Sequence, residues 1–339
     1  NSRSATGRKL LHHSQQQAGV APKVIAFDDP DSIIVETGTN LDGVGMVSAG
    51  GAIGSGSLLD TGRHVLTAAH VVVDFFGAVA PADVAVTFDT ASGPISLGAA
   101  EVFVHPGYTG DVTNGNDIAI IVLDQEVPAG VPRLDIYRET DELDQRAQVV
   151  GYGRYGTGDE GEQGFDGRKR AGFNEYDSLG DVFDGFAPGI MLAYDFDNGL
   201  EENDAFGTVF GIDDLGLGED EGFAASGDSG GPIIVDGLIA GLTSFGYVTL
   251  DTPDITDFID SSFGEFQVDT RVSSFADWID SITAVTALGS DEFLVNQTTV
   301  GMQKQSDVAM DSDGDFVITW TSYNEDGTGN GPGAGYNGQ

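Results

Sequence analysis

The sequence predicts an all-β protein, a sandwich or barrel of many short strands. Three observations carry this: 50 glycines in 339 residues, few long stretches of helical period, and a succession of short apolar runs such as "HVLTAA", "DVAVTF", "DIAIIVL" and "AQVVGYG". At 40% hydrophobic residues the chain can bury a substantial core. With 55 Asp and Glu against 14 Lys and Arg the formal charge is -41. Such a surface repels phosphate backbones and anionic headgroups, so nucleic acid is not an expected partner. No cysteine is present, which excludes disulfides and a thiol nucleophile, and no apolar run approaches the roughly 20 residues of a membrane span.

Taken in order, residues 1–23 hold Arg3, Arg8, Lys9 and Lys23 and no acid, in contrast to the acidic remainder, and read as an N-terminal tail or propeptide. The chain begins at Asn1 with no apolar leader core, so it reads as a fragment or processed form. Residues 24–287 show a continuous strand-and-turn texture and are expected to form the main domain. The Gly- and charge-rich stretch from Gly153 to Gly172 reads as a long surface loop within it. Near its end, Phe275, Trp278, Ile279 and Ile282 fall at helical spacing, and Ser274 with Asp277 fits a capping box. Residues 288–339 offer two or three strands around the acidic turn Asp311 to Asp315. That segment is too short to bury its own faces. It resembles one copy of a β-repeat found in tandem in large secreted bacterial proteins, which makes Gln339 an expected truncation point.

The segment "SGDSGGPII", Ser226 to Ile234, presents Ser229 among glycines, where a substrate carbonyl could approach the backbone. A serine nucleophile needs a base, and that base is usually a histidine oriented by a carboxylate. All five histidines, His12, His13, His64, His70 and His105, precede Ser229. This excludes the α/β-hydrolase order suggested by the literal G-x-S-x-G match, and the GDS-type esterase order with it, since both place a histidine after the serine. A subtilisin-like order is disfavoured because its serine opens a helix, whereas Pro232 follows here within a β-rich run. The order His, Asp, Ser remains. "LTAAHVV" presents His70 at a strand end, and "NGNDIAIIVL" places Asp117 at the head of a buried strand, 47 residues on. His105, followed by a proline, reads as structural, and His64 as facing solvent or a turn.

"TAAH", "NDIAIIVL" and "GDSGGP" in this order resemble the trypsin/chymotrypsin family of serine endopeptidases, in a bacterial, cysteine-free form. "HPGY", "GYGRYG", "TSFG" and "VDTRVSSFADWI" add to the resemblance, which spans about residues 45–285. Alone, His70 reads as a packed core residue, Asp117 as a turn residue and "GDSGG" as a loop; their joint order favours the catalytic reading. The resemblance implies two six-stranded antiparallel β-barrels with a C-terminal helix, and secretion or display at the cell surface. It implies a protein or peptide substrate, Ser229 as nucleophile, His70 as general base and Asp117 as its orienting acid. The N–H groups of Gly227 and Ser229 would form the oxyanion hole, and Ser244, Phe245 and Gly246 would pair with substrate main chain. In that family the floor of the primary specificity pocket lies six residues before the nucleophile, so the resemblance implies Phe223, with Ala224 beside it, at the floor and, through "QVDTRV", Gln267 on the wall. Such a pocket is shallow and uncharged and suits small or medium apolar residues. The acidic segment holding Asp251, Asp254, Asp257, Asp260 and Glu265 could fold over it and favour basic residues instead.

Two departures from the family bear on activity. The Ile-Val-Gly-Gly-like segment whose freed amine pairs with the aspartate before the serine is absent. Asp228 needs a cation once buried. "PKVIAF" could supply the amine of Val24 after cleavage at Lys23, with Arg168 or Arg170 as rival partners. No cofactor is expected, and no metal-ligating set is assigned. Calcium is the one ion left open, because "YDFDNG", Tyr194 to Gly199, and "DSDGD", Asp311 to Asp315, carry hard oxygen ligands, although neither completes a twelve-residue calcium loop. The alternatives to a peptidase are a non-catalytic, protease-like binding or adhesion module, and an esterase using the same three residues.

Overall fold

A computed structural model describes residues 11–12, 24–74, 77–256 and 258–287, and the strands 302–310, 316–323 and 332–338. The chain divides into two units, Asn1–Ala284 and Val285–Gln339.

The first unit is built on two antiparallel sheets. Six strands, β1 (Val44–Ala49), β2 (Ala52–Leu58), β3 (His64–Thr67), β4 (Val84–Phe88), β5 (Ile95–Val104) and β6 (Ala119–Leu123), close into a barrel in the order β6-β3-β2-β1-β4-β5. The second sheet is formed by β7 (Arg146–Gly151), β8 (Arg170–Glu175), β9 (Ser178–Leu179), β10 (Met191–Asp195), β11 (Pro232–Val235), β12 (Leu238–Val248) and β13 (Phe266–Arg271). Its order is β8-β7-β11-β12-β13-β10-β9. Leu11 and His12 add to β12 opposite Val248 and Tyr247. This sheet is a curled half-barrel rather than a ring closed by hydrogen bonds throughout. Its two edge strands, β8 and β9, are consecutive in the chain and separated only by Tyr176 and Asp177, so the backbone itself spans the gap. Tyr176 is fully turned inward, its hydroxyl donating to Asp269 at 2.9 Å, and the ladder breaks there.

Strand periodicity explains how the barrels share a core. Along β6 Ala119, Ile121 and Leu123 fill the first barrel, whereas Ile118 and Ile120 face the cluster between the sheets. Along β11 Ile233 and Val235 enter the second core, and Ile234 points to the same shared cluster. Val272, Phe275 and Ile279 join it from a 3₁₀ turn at Val272–Phe275 and the following α-helix at Ala276–Ala287. The expected capping box is not formed, because the Ser274 hydroxyl donates to the Gly189 carbonyl at 3.1 Å. His105 packs edge-on against Phe275 and Trp278, both at 5.1 Å, and so helps seat the helix.

The stretch from Gly153 to Gly172 is more ordered than a surface loop. Tyr155–Thr157 and Gly161–Gly164 form a small sheet with Ile25–Ala26 and Gly222–Phe223. The buried Arg170 guanidinium lies over the Tyr155 ring at 5.3 Å, which draws a charged segment inward. The second unit contains a three-stranded antiparallel sheet, Met302–Met310, Phe316–Tyr323 and Pro332–Gly338. The turn Asp311 to Asp315 and most of residues 1–23 lie outside the described residues. No described helix is long and apolar enough to cross a membrane.

Candidate active site

β3 ends at Thr67, and a single 3₁₀ turn, Ala69–Val71, projects His70 from two buried alanines, Ala68 and Ala69. Asp117 heads the fully buried segment that becomes β6. Its carboxylate meets the histidine twice: the His70 N–H donates to Oδ1 at 2.9 Å, and Nδ1 lies 2.6 Å from Oδ2. The Ser244 hydroxyl donates to that same Oδ2 at 2.6 Å. Burial alone would raise the Asp117 pKa, but the His70 charge and these donors outweigh it and hold the carboxyl below its ordinary range. Burial likewise pulls His70 down, yet the Asp117 charge and hydrogen bond leave its pKa raised. The imidazole remains 26% exposed, open on the side away from Asp117.

Ser229 sits on a turn flanked by Gly227 at φ +86° and Gly230 at φ +76°, a region that side chains with a Cβ rarely adopt. The turn is tied to the first barrel through Ser55. The Ser55 N–H donates to the Ser229 carbonyl at 2.8 Å, its hydroxyl donates to the Gly227 carbonyl at 3.2 Å, and its own carbonyl accepts from the Thr67 hydroxyl at 2.7 Å. A Cβ on Gly230 would lie 2.1 Å from the Thr67 hydroxyl and 2.6 Å from the Ala68 nitrogen. The serine turn therefore rests directly on the strand end that presents His70. A Cβ on Gly54 would likewise strike both Val71 and the Ser229 carbonyl. Among the described residues the Ser229 hydroxyl forms no hydrogen bond, with His70 or any other, and the N–H groups of Gly227 and Ser229 have no acceptor. Two backbone donors on either side of Asp228 are thus left for an external oxygen.

Asp228 itself is fully buried. The N–H groups of Gly153 and Ala225 donate to its carboxyl at 2.6 and 2.9 Å, and burial pushes its pKa well above the ordinary value. No ion pair to it occurs among the described residues. The sequence-level rivals for that role are engaged elsewhere: Arg170 pairs with Asp166 and Asp31 at 3.2 and 3.5 Å, and Arg168 with the same two at 2.8 and 3.0 Å. Arg170 acts on Asp228 only as a more distant charge. Val24 is fully buried in one cluster with Ala224 and Ala225, and Ile25 pairs with Phe223.

The expected pocket residues are placed with more packing than the sequence suggests. The Phe223 ring is fully buried, stacked on Phe196 at 5.2 Å and edge-on to Tyr194 at 5.5 Å. Ala224 is buried beside it. Gln267 stands opposite Tyr194 on the neighbouring strand and donates to Asp269 at 2.9 Å. Asp269 is a group that sequence reasoning missed, although it lies inside the quoted "QVDTRV" and two residues from Gln267, hence on the same face. Burial raises its pKa to about 7 against donors from Gln267, Tyr176 and the Ser244 N–H. Ser244, expected to pair with substrate through its main chain, gives its hydroxyl to Asp117 and its N–H to Asp269, and it falls in a bulge of β12 between Thr243 and Phe245. Phe245 is buried against Phe186 at 5.6 Å, and a Cβ on Gly246 would meet only ordinary contacts at 3.5 and 4.0 Å.

His64, expected to face solvent or a turn, does not face solvent but does meet the turn before β3. It is buried, its Nδ1 lies 2.6 Å from the Thr61 hydroxyl, and burial lowers its pKa to about 4. In the acidic segment, Asp260 and Ser262 N–H groups donate to the buried Glu265, and the Asp260 carbonyl accepts from the Glu162 N–H at 2.8 Å. The segment thus folds on itself and on residues 158–162; Asp257 lies outside the described residues.

Residues 41–165 match the trypsin family model, a span that includes His70 and Asp117 but not Ser229. No curated protein matches the chain in sequence. Among solved structures the chain is similar to neuropsin, a serine protease expressed in the limbic system of mouse brain, at 18% identity and a TM-score of 0.51. That similarity covers 71% of this chain and 94% of neuropsin, and it concerns the fold. A closed six-stranded barrel with a curled partner sheet is a chymotrypsin-like fold, and over residues 41–165 the chain is similar to the trypsin family of serine proteases.

Proposed function

We propose that the chain is a serine endopeptidase that cleaves peptide bonds through an acyl-enzyme intermediate, with Ser229 as nucleophile, His70 as base and Asp117 as orienting acid. The observation that carries this reading is the coincidence of an oriented, base-poised imidazole and two unused backbone donors beside one serine. Ser229 Oγ attacks the scissile carbonyl as its proton passes to His70 Nε2, and the carbonyl oxygen takes up negative charge against the Gly227 and Ser229 N–H groups. The C–N bond then breaks as His70 returns the proton to the leaving amine. Water, deprotonated by the same imidazole, hydrolyses the ester and frees Ser229. Asp117 stays ionised throughout and stabilises the imidazolium. Losing one oxyanion donor of this kind costs about 3 kcal/mol in related chemistry.

The substrates are proteins or peptides, with nucleic acid disfavoured by a charge of -41, and the site of action is outside the cell or on its surface. The buried Asp228, which has no ion pair among the described residues, points to an activation step. The amine of Val24, freed by cleavage after Lys23, is the cation that fits, since Val24 already packs with the residues just before Asp228. That same acid favours a second reading, a protease-like module that binds without turning over. An organophosphorus serine-directed probe separates the two, since only an activated Ser229 is labelled. Hydrolysis of peptide amides, and not only of activated esters, separates a peptidase from an esterase.

A further inference from the structure

Away from the triad, three carboxylates converge where β10 runs into the following loop. Asp195 ends β10, Asp197 follows two residues on, and Asp204 caps the short helix Ala205–Phe210. Each offers one oxygen, and the three oxygens lie within 4.8 Å of one another. A cation held at 2.3–2.6 Å sets opposed ligands about 4.6–5.2 Å apart, so one ion can reach all three.

An acidic cluster on a surface would mean little, but this one is enclosed. Asp197 is 3% exposed, and its Oδ1 has no hydrogen-bond donor. Its N–H is committed to Glu221 Oε1 at 3.1 Å, and Glu221 is in turn held by the Asn174 amide at 3.2 Å, so the carboxylate is carried on a braced backbone. Asp195 Oδ2 accepts from the Phe206 N–H at 2.8 Å, and Asp204 Oδ1 from the Gly207 N–H, which fixes both side chains. No described arginine or lysine forms an ion pair with any of the three. Buried carboxylates are ordinarily paired or metal-bound, since an uncompensated charge in low dielectric is costly.

We propose that Asp195, Asp197 and Asp204 bind a calcium ion. The donors are all hard oxygens, with no histidine or thiolate, which suits calcium over zinc. Three carboxylates from a strand end, the loop after it and a helix cap form an irregular cage, which calcium accepts and the strictly octahedral magnesium does not. Burial pushes Asp195 to about 7 against the Phe206 N–H, and burial with the neighbouring acids pushes Asp197 to about 10. The ion would join the end of β10 to the cap of the short helix, near the expected specificity pocket: Tyr194, next to Asp195, pairs with Gln267, and Glu221, which accepts from the Asp197 N–H, precedes Gly222–Phe223. The proposal does not depend on catalysis.

Thermal unfolding and calorimetric titration of the full chain at pH 7.5, with calcium chloride against EGTA, test it. Calcium is expected to raise the midpoint by several degrees, and equal magnesium to have little effect. Asp197→Asn removes one carboxylate ligand from the cage and should weaken binding at least tenfold. Asp204→Asn should do the same while keeping the helix cap, because Asn caps as well as Asp, so it remains informative if the first variant folds poorly. No calcium shift in the natural chain, a shift that survives both substitutions, or an equal shift with magnesium would overturn the assignment.

Discussion

Ser244 and His70 share one oxygen: the serine hydroxyl donates to Asp117 Oδ2 at 2.6 Å, and His70 Nδ1 lies 2.6 Å from the same atom. The fully buried carboxylate is therefore oriented from both barrels, by the His70 turn of the first and by β12 of the second. The Thr270 hydroxyl adds a bond to the Asp117 carbonyl at 2.9 Å. An acid held in this way keeps the imidazole in one tautomer and one plane.

Ser244→Ala should lower kcat/KM about tenfold, because a hydrogen bond to a buried charge contributes about 1.5–3 kcal/mol and His70 retains both of its own bonds to Asp117. Steady-state kinetics on a peptide amide, with circular dichroism to check folding, measure this. Unchanged kinetics would show that Ser244 does not help to orient the acid.

The pH profile follows from His70. Its pKa is raised by Asp117, and only the neutral ring can accept the Ser229 proton, so kcat/KM should rise with pH through a midpoint above about 6.5. The sign for stability is opposite. The protonated ring's favourable pairing with Asp117 is fully present below the unfolded pKa and is lost as pH rises through the folded one. Asp117, with its pKa lowered, contributes above its unfolded value and loses that contribution as pH falls through the folded value. A kinetic midpoint at or below 6.5 would contradict the pairing.

Specificity should favour small or medium apolar residues, such as Ala, Val or Leu, before the scissile bond. Phe223 offers no charge, Gln267 is bound to Asp269, and Asp269 is itself buried against three donors rather than free to pair a substrate cation. Discrimination should amount to about 1–3 kcal/mol per methylene. A peptide-library profile measures it, and strong selection for Arg or Lys would show that Asp269 or the acidic segment at 251–265 governs the pocket instead.

Much of the fold was legible because strand alternation and glycine-marked turns are local signals: "DIAIIVL" announces a strand buried on both faces, and β6 is one. What was not legible depends on distant partners. The order in Gly153–Gly172 comes from pairing with Ile25–Ala26 and from Arg170 folding over Tyr155, neither of which leaves a local pattern. For His64 solvent and a turn were both open, and only the geometry of the turn at Thr61 decides between them. At the candidate site, motif order pointed to His70, Asp117 and Ser229, and the structure brings the first two into direct contact. The seating of Ser229 on Ser55 and Thr67, and the second use of Ser244, come from long-range packing. Asp269 was passed over because nothing in "QVDTRV" marks it as buried.

The central claim is that Ser229 becomes a nucleophile when His70, Asp117 and a freed Val24 amine are in place. Its most direct measurement is labelling by an organophosphorus serine-directed probe, with peptide-amide hydrolysis in parallel, on chains beginning at Asn1 and at Val24, each also as Ser229→Ala and His70→Ala. The account predicts faster labelling and turnover for the chain beginning at Val24, with both activities abolished in the two substituted forms although folding is retained. Activity within tenfold of the unsubstituted chain in either variant, or no labelling from either start, would contradict it.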